Sequence, residues 1–313
     1  MYADLLRRAA EEVVSGDVVY GVLLGHEDDP PPSALALRLL GAVHRLVLRG
    51  DAPGLAAHYP SVGGRPDHPW PHFLETLHDH RDELSPLVEN PVQTNEPNRC
   101  AALLGGFLEI ARATQLPLRL LEVGASAGLN LRFDRYRYEL GDEEWGPDDS
   151  PVTIRARLTG GTPPLGAPLE VASRAGCDAR PVDPRTDEGR LTLLSYVWAD
   201  QIERVERLRA ALAVAAELEA PVERAGAADW IEARLAEPAH DVAAVVFHSI
   251  VMQYLPDAER ERFERTVAEA SGTVAWLRME PADDMTELRL TLGGEERLLA
   301  RAGYHGDPVE WTR

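Results

Sequence analysis

The chain has 313 residues, 44% of them hydrophobic, enough for one large core or for a core with a smaller helical layer. Acidic residues outnumber basic ones 52 to 32, and the net charge of −20 argues against a nucleic-acid partner, whose binding rests on Lys and Arg neutralising phosphates. The absence of lysine excludes P-loop, Schiff-base and serine–lysine chemistry, each of which needs an amine that arginine does not supply. Cys100 and Cys177 are too few for a disulfide framework or a zinc knuckle. No apolar run reaches bilayer length and no secretory pattern opens the chain, so a cytoplasmic protein without a membrane partner is expected.

Residues 1 to about 115 carry helical periodicity. Leu5, Leu6, Ala9, Val13 and Val14 form one apolar face ended by Gly16; Ala34 to Leu48 form a second, ended by Gly50 and preceded by the breaker Pro30, Pro31, Pro32. Phe73 to Leu84 and Cys100 to Ala113 predict further helices, so this part reads as a helical cap. Between them, Gln93 to Arg99 is polar and bracketed by Pro91 and Pro97. Its donors and acceptors make Asn95, Glu96 and Arg99 candidate substrate-binding residues; the alternative is a solvated loop with Asn98 capping the next helix. His58, His68, His72, His78 and His80 cluster nearby. His78 and His80 point to opposite sides of one helix, and Pro69 and Pro71 separate His68 from His72, so a surface cluster and no metal are expected.

The rest of the chain is organised around Leu116 to Asn130. Leu118 to Val123 is apolar apart from Arg119 and Glu122, and Gly124, Ala125, Ser126, Ala127 and Gly128 follow directly, predicting a buried strand, a tight turn and a helix start. Small residues there let backbone N–H groups approach a ligand, and the helix start favours an anion or a polar ligand edge. Glu122, at the strand tip, is placed to accept hydrogen bonds from a sugar or an amine. Gly124 to Gly128 matches the Gly-x-Ser-x-Gly nucleophile elbow, with Ser126 as nucleophile. The order Glu122, Gly124, Ser126, Gly128 also resembles the first motif of class I S-adenosylmethionine-dependent methyltransferases, with Ser126 in place of the middle glycine.

Tyr136, Tyr138 and Leu140 then alternate with Arg137 and Glu139, Gly141, Asp142 and Gly146 suggest a turn, and Ile154 to Leu158 a returning strand. This predicts a β-hairpin insertion over about 134–168, in which the tyrosines read as packing before substrate contacts. Asp178, in Gly176-x-Asp178-x-x-Pro181, resembles the second-strand motif of the same family, whose acid binds ribose hydroxyls. That acid normally lies about 20 residues past the glycines, and the insertion explains the longer spacing. Leu191 to Leu218 predicts one long helix carrying Trp198, Asp200 and Gln201.

Val222 to Ala225 predicts a third strand. The resemblance implies an adenine-recognising acid directly after Gly226; Ala227 stands there, which leaves Asp229 as the candidate. Asp241 to Phe247 predicts a fourth strand, and His248 to Asp257 resembles the fourth-strand motif of small-molecule methyltransferases, followed by a charged helix from Glu259 to Ala270. Thr273 to Met279 predicts a fifth strand, with Leu288 to Leu292 and Arg297 to Ala300 as a closing antiparallel pair.

Taken in order, these motifs imply an α/β fold with a Rossmann-like class I methyltransferase sheet over 116–313, an N-terminal helical cap over 1–115 and the β-hairpin insertion. They imply S-adenosylmethionine held by Glu122, Gly124, Ala125, Ser126, Gly128, Asn130, Asp178, Asp229, His248 and Ser249, and methyl transfer to an oxygen or nitrogen of a small molecule. His248 is the candidate base, suited by an unperturbed imidazole pKa of about 6.5, and Tyr254 is the second candidate catalytic residue. The order Ser126, Asp229, His248 keeps an α/β-hydrolase-like serine hydrolase as runner-up, and Ala227 keeps open a cofactor-binding protein without catalysis. Nearly the full length also resembles an uncharacterised bacterial family, through Leu120 to Asn130, Tyr196 to Gln201 and Val246 to Pro256, which implies no activity.

Overall fold

Amphipathic spacing builds the first helices. In α1 (Tyr2–Ser15), Tyr2, Leu5 and Ala9 are buried, and Gly16 ends the helix in the left-handed conformation. A short α2 (Val18–Val22) precedes α3 (Leu35–Arg49), which buries Leu39, Leu40, Val43, Leu46 and Val47 and ends likewise at Gly50. After α4 (Pro53–Ala56), the helix expected over Phe73 to Leu84 is two, α5 (Trp70–Asp79) and α6 (Arg81–Val88), because His80 between them leaves helical geometry. The computed structural model describes residues 1–16, 18–30, 33–270 and 274–312; Pro31 and Pro32 of the predicted breaker and Thr273 of the predicted fifth strand lie outside them.

Two compact units result, Met1–Thr94 with Pro184–Arg209, and Asn95–Asp183 with Ala210–Arg313. α7 (Cys100–Thr114) therefore groups with the sheet and not with the helices before it. In the first unit, α8 (Asp187–Ser195) packs on α3 and is capped by the Thr186 hydroxyl, which accepts from Gly189 N at 3.0 Å. The single long helix expected from Leu191 is broken at Tyr196–Gln201 and resumes as α9 (Ile202–Glu217).

The strands belong to the second unit. They are β1 (Leu118–Val123), β2 (Arg137–Leu140), β3 (Glu143–Trp145), β4 (Thr153–Ala156), β5 (Leu158–Gly160), β6 (Val171–Asp178), β7 (Val222–Arg224), β8 (Ala243–Ser249), β9 (Ala275–Ala282), β10 (Met285–Leu292), β11 (Glu295–Ala302) and β12 (Val309–Trp311). α10 (Ala227–Ala236) connects β7 to β8, and α11 (Asp257–Glu269) connects β8 to β9. The main sheet has the order β5-β12-β11-β10-β9-β8-β1-β6-β7, and β3-β2-β4 form a small second sheet. From β7 through β6, β1 and β8 to β9 every neighbour is parallel; β9 to β12 are antiparallel, and β12 runs parallel with β5. The protein is thus a mixed α/β protein with N-terminal helices, a nine-stranded sheet and a small extra sheet. β8 is buried along its whole length, as its near-continuous apolar run requires of a strand covered on both faces. Among the described residues no helix is long and apolar enough to cross a membrane.

Chain order in the parallel half reverses beside β1. From β1 the chain goes to β6 and β7 on one side, then returns to β8 and β9 on the other, so the crevice at the carboxyl ends of β1 and β8 is the switch point at which open α/β sheets bind ligands.

Two local expectations differ from what forms. The insertion makes a β2–β3 hairpin, but the returning β4 pairs parallel with β2, because the connection loops back to the start of β2, where Arg137 N donates to Val152 O at 3.0 Å. After the glycine turn there is no α-helix. A 3-10 helix, Asn130–Arg135, stands there, kinked at Arg132. The carbonyls that an α-helix would use are taken by side chains: Arg132 Nη1 donates to Ala127 O (3.2 Å) and Gly128 O (2.7 Å), and Tyr136 Oη donates to Leu129 O (2.6 Å). Tyr138 Oη donates to Phe133 O at 2.8 Å, so both tyrosines pack and neither presents itself to a substrate.

Candidate functional site

Glu122 lies in β1, beside the switch point. It sits next to last in β1 and is 1% exposed. Its Oε1 accepts from Asn130 Nδ2 at 3.4 Å, and Asn130 Oδ1 in turn accepts from the Cys100 thiol at 3.3 Å. Oε2 is buried without a hydrogen-bond partner. Burial pushes the Glu122 carboxyl well above the usual carboxylate range, and nearby Asp178 adds to it. The Asn130 hydrogen bond and the Arg99 and Arg132 guanidiniums pull the other way. A carboxyl kept protonated both donates and accepts hydrogen bonds.

The loop above Glu122 alternates in handedness. Gly124, Ser126 and Gly128 have φ of 68°, 53° and 67°, and a serine in that conformation costs about 1–2 kcal/mol relative to ordinary backbone. Hydrogen bonds offset this. Ala125 N donates to Cys177 O (3.0 Å), Ser126 N to Asp178 Oδ2 (2.9 Å), Gly128 N to Ala125 O (2.7 Å) and Leu129 N to Asn95 Oδ1 (2.8 Å). These donors serve the protein itself, and the six-residue 3-10 helix that follows supplies no anion site, so the anion-favouring helix start expected of this loop does not form.

Asp178 stands at the tip of β6, as its motif predicts, and its carboxylate ties the loop down. Oδ2 takes Ser126 N and Oδ1 takes Arg180 N at 2.8 Å, which leaves about one acceptor position on each oxygen. Val251, in the loop after β8, sits over Gly124, where an added Cβ would lie 2.3 Å from Val251 Cγ2. The loops at the two strand tips thus pack on each other at the switch point.

The polar segment before α7 is built into the second unit. Asn95 holds Leu129 N. Glu96 caps the turn by accepting from Asn98 N at 3.1 Å, a task expected of Asn98. Asn98 instead bonds the backbone of Arg155 and His305. Arg99 Nη1 donates to Ser249 O at 3.0 Å, and its Nε to Tyr304 O at 3.2 Å. Of the candidate substrate-binding residues, Asn95 thus braces the glycine loop and Arg99 the tip of β8.

His248 is the principal correction. It is fully buried, Nδ1 meets Glu280 Oε1 at 2.6 Å, and Trp276 Nε1–H donates to Nε2 at 3.1 Å. With Nε2 accepting, Nδ1 carries the proton and donates to Glu280, so both ring nitrogens are engaged inside the fold and neither is free to take a substrate proton. Tyr254 is 61% exposed, in the 3-10 turn after β8. Asp229 is exposed on α10 and pairs with Arg262. The Ser126, Asp229, His248 set is therefore not assembled: the carboxylate partner of His248 is Glu280.

Sequence reasoning missed Arg132, Glu259 and Glu280. Glu259 Oε1 accepts from Ala227 N at 2.7 Å, so a carboxylate from α11 holds the start of α10. Glu280 Oε1 also accepts from Val251 N at 3.1 Å and so anchors the loop over Gly124. It had a signal, an acid just past an apolar run, as with Glu122. The histidines of residues 58 to 80 make local contacts, His58 stacking on His72 and His72 pairing with Glu75.

No curated protein and no solved structure matches the chain. A family model described as an uncharacterized protein conserved in bacteria, DUF2332, matches residues 1–311. The chain belongs to that bacterial family, in keeping with the near full-length likeness carried by Leu120 to Asn130, Tyr196 to Gln201 and Val246 to Pro256.

Proposed function

We propose that the second unit is a class I methyltransferase-like domain that binds S-adenosylmethionine over the loop between Glu122 and Gly128 and transfers its methyl group to an oxygen or nitrogen of a small molecule. The observation that carries this reading is Glu122, a buried carboxyl with an unpartnered oxygen beneath a glycine loop at the switch point. The parallel order β7-β6-β1-β8-β9 and the antiparallel β10 beyond it support the same reading.

The residues fit the cofactor in three places. Glu122 Oε2 offers a hydrogen-bonding position to an amine or a hydroxyl. Asp178 retains acceptor capacity for ribose hydroxyls while holding the loop. Glu259, reaching from α11 to the start of α10, is the candidate for the carboxylate that Ala227 does not provide. The Asp178 carboxylate borders a loop whose donors serve the protein, an environment that disfavours a pyrophosphate and suits a neutral or cationic nucleoside. S-adenosylmethionine, when bound, supplies a methyl group on a positively charged sulfur. The net charge of −20 and the lack of lysine favour a small acceptor over a nucleic acid.

A second reading, a cofactor-binding protein without turnover, is favoured by one observation: both ring nitrogens of His248 are engaged. Isothermal titration separates binding from its absence. S-adenosylmethionine and S-adenosylhomocysteine should each give one site, weakened strongly by Glu122→Ala and by Gly124→Val. No heat with either ligand, in folded protein, overturns the proposal.

A further inference from the structure

The two oxygens of Glu122 are treated differently by the fold. Asn130 Nδ2 donates to Oε1 at 3.4 Å, and the Cys100 thiol sets that orientation by donating to Asn130 Oδ1 at 3.3 Å. Oε2 keeps no partner, and no ion pair to Glu122 forms among the described residues. Burial and Asp178 oppose ionisation of this carboxyl, while the Asn130 hydrogen bond and the Arg99 and Arg132 guanidiniums favour it. The Cys100 thiol and the Tyr136 phenol beside it keep their hydrogens, because burial raises the proton affinity of both. A buried carboxyl without an ion pair stays neutral. With Oε1 accepting from Asn130, the carboxyl hydrogen belongs on Oε2, the oxygen left for a ligand.

A cationic amine at hydrogen-bond distance from Oε2 would supply the countercharge that this setting lacks. Attraction between opposite charges is strong away from water, and it favours the carboxylate over the acid. We propose that Glu122 captures a cationic amine with loss of its own proton: the carboxyl gives up the Oε2 hydrogen to solvent and becomes the counterion of the ammonium. The ammonium keeps its three hydrogens and donates one of them to Oε2, so one proton leaves for each ligand bound. Asn130 donates to Oε1 in both forms, so Asn130 and Cys100 position the acid without titrating. The inference rests on the methyltransferase reading, in which S-adenosylmethionine brings the amine.

Calorimetric titration of the full chain with S-adenosylhomocysteine at about pH 7, in buffers of different ionisation enthalpy, counts the protons released. One proton per ligand is expected, and affinity should rise about tenfold per pH unit while Glu122 is protonated in the free protein. Methylthioadenosine, which lacks the amine, should release none, and Glu122→Gln should release none with either ligand. In the infrared, the band of a neutral carboxyl should fade as S-adenosylhomocysteine binds and be missing from Glu122→Gln, a readout that holds even where that variant binds too weakly for calorimetry. Binding with the same heat in every buffer, or equal proton release with methylthioadenosine, overturns the proton link and leaves the methyltransferase reading standing. No binding of either nucleoside overturns both.

Discussion

Replacing Gly124 by alanine places a methyl group where the loops after β1 and β8 meet. The new Cβ would lie 2.3 Å from Val251 Cγ2 and 2.9 Å from Val251 Cβ. The backbone adds its own penalty, since φ at this residue is 68° and a non-glycine residue there costs about 1–2 kcal/mol. Overpacking adds about 1–3 kcal/mol, so Gly124→Ala should lower stability by roughly 2–5 kcal/mol. Rotation of Val251 about χ1 moves Cγ2 but not Cβ, and a β-branched χ1 is stiff, so a rotamer change relieves only part of the clash. Val251→Ala removes the contact at 2.3 Å and leaves the one at 2.9 Å. In that background Gly124→Ala should therefore cost about 1–2 kcal/mol less than in the parent chain. Urea denaturation of both single variants and the double variant measures this coupling directly. Additivity within about 0.5 kcal/mol would refute the packing of the two loops on each other.

Other perturbations have calculable signs. His44 is buried between Ser61 Oγ (2.8 Å) and the Ser195 carbonyl (3.1 Å), and burial lowers its pKa from 6.5 to about 4. A base that binds its proton less readily when folded supports the fold fully above about pH 6.5 and loses roughly 3 kcal/mol of that support as pH falls to about 4. His44→Asn should flatten this acid dependence in urea midpoints taken across that window. Glu122 has the opposite sign: its raised carboxyl supports the fold below the ordinary carboxylate range and less as pH rises through its folded pKa. Glu122→Gln should therefore gain stability relative to the parent as pH rises, and a difference independent of pH would contradict the buried acid. Asp178→Asn keeps one acceptor where two backbone N–H groups need serving, so a loss of about 1–3 kcal/mol and faster hydrogen exchange at Ser126 or Arg180 are expected.

What the chain discloses locally is what local forces decide. Leu118 to Val123 and Asp241 to Phe247 read as strands because β1 and β8 are buried, which demands nearly continuous apolar character. Gly124, Ser126 and Gly128 were legible because positive φ needs small residues. The 3-10 helix after them was not, since it forms through Arg132 and Tyr136 reaching back to loop carbonyls. Nor does apolar spacing say which core a helix joins, so α7 grouped with the cap and 184–209 was not assigned to the first unit. His248 was misread as a free base because the partners that engage it, Glu280 and Trp276, lie 32 and 28 residues away. Glu122 was read correctly as a strand-tip carboxyl, but its burial and its link to Cys100 through Asn130 are tertiary facts.

The most direct test of the proposed function is a cocrystal structure of the full chain with S-adenosylhomocysteine. The ligand should lie across the loop from Gly124 to Gly128, with a polar atom within hydrogen-bond distance of Glu122 Oε2 and its ribose hydroxyls on Asp178. An empty loop at saturating ligand, or ligand bound away from the tips of β1, β6 and β8, would contradict the methyltransferase reading.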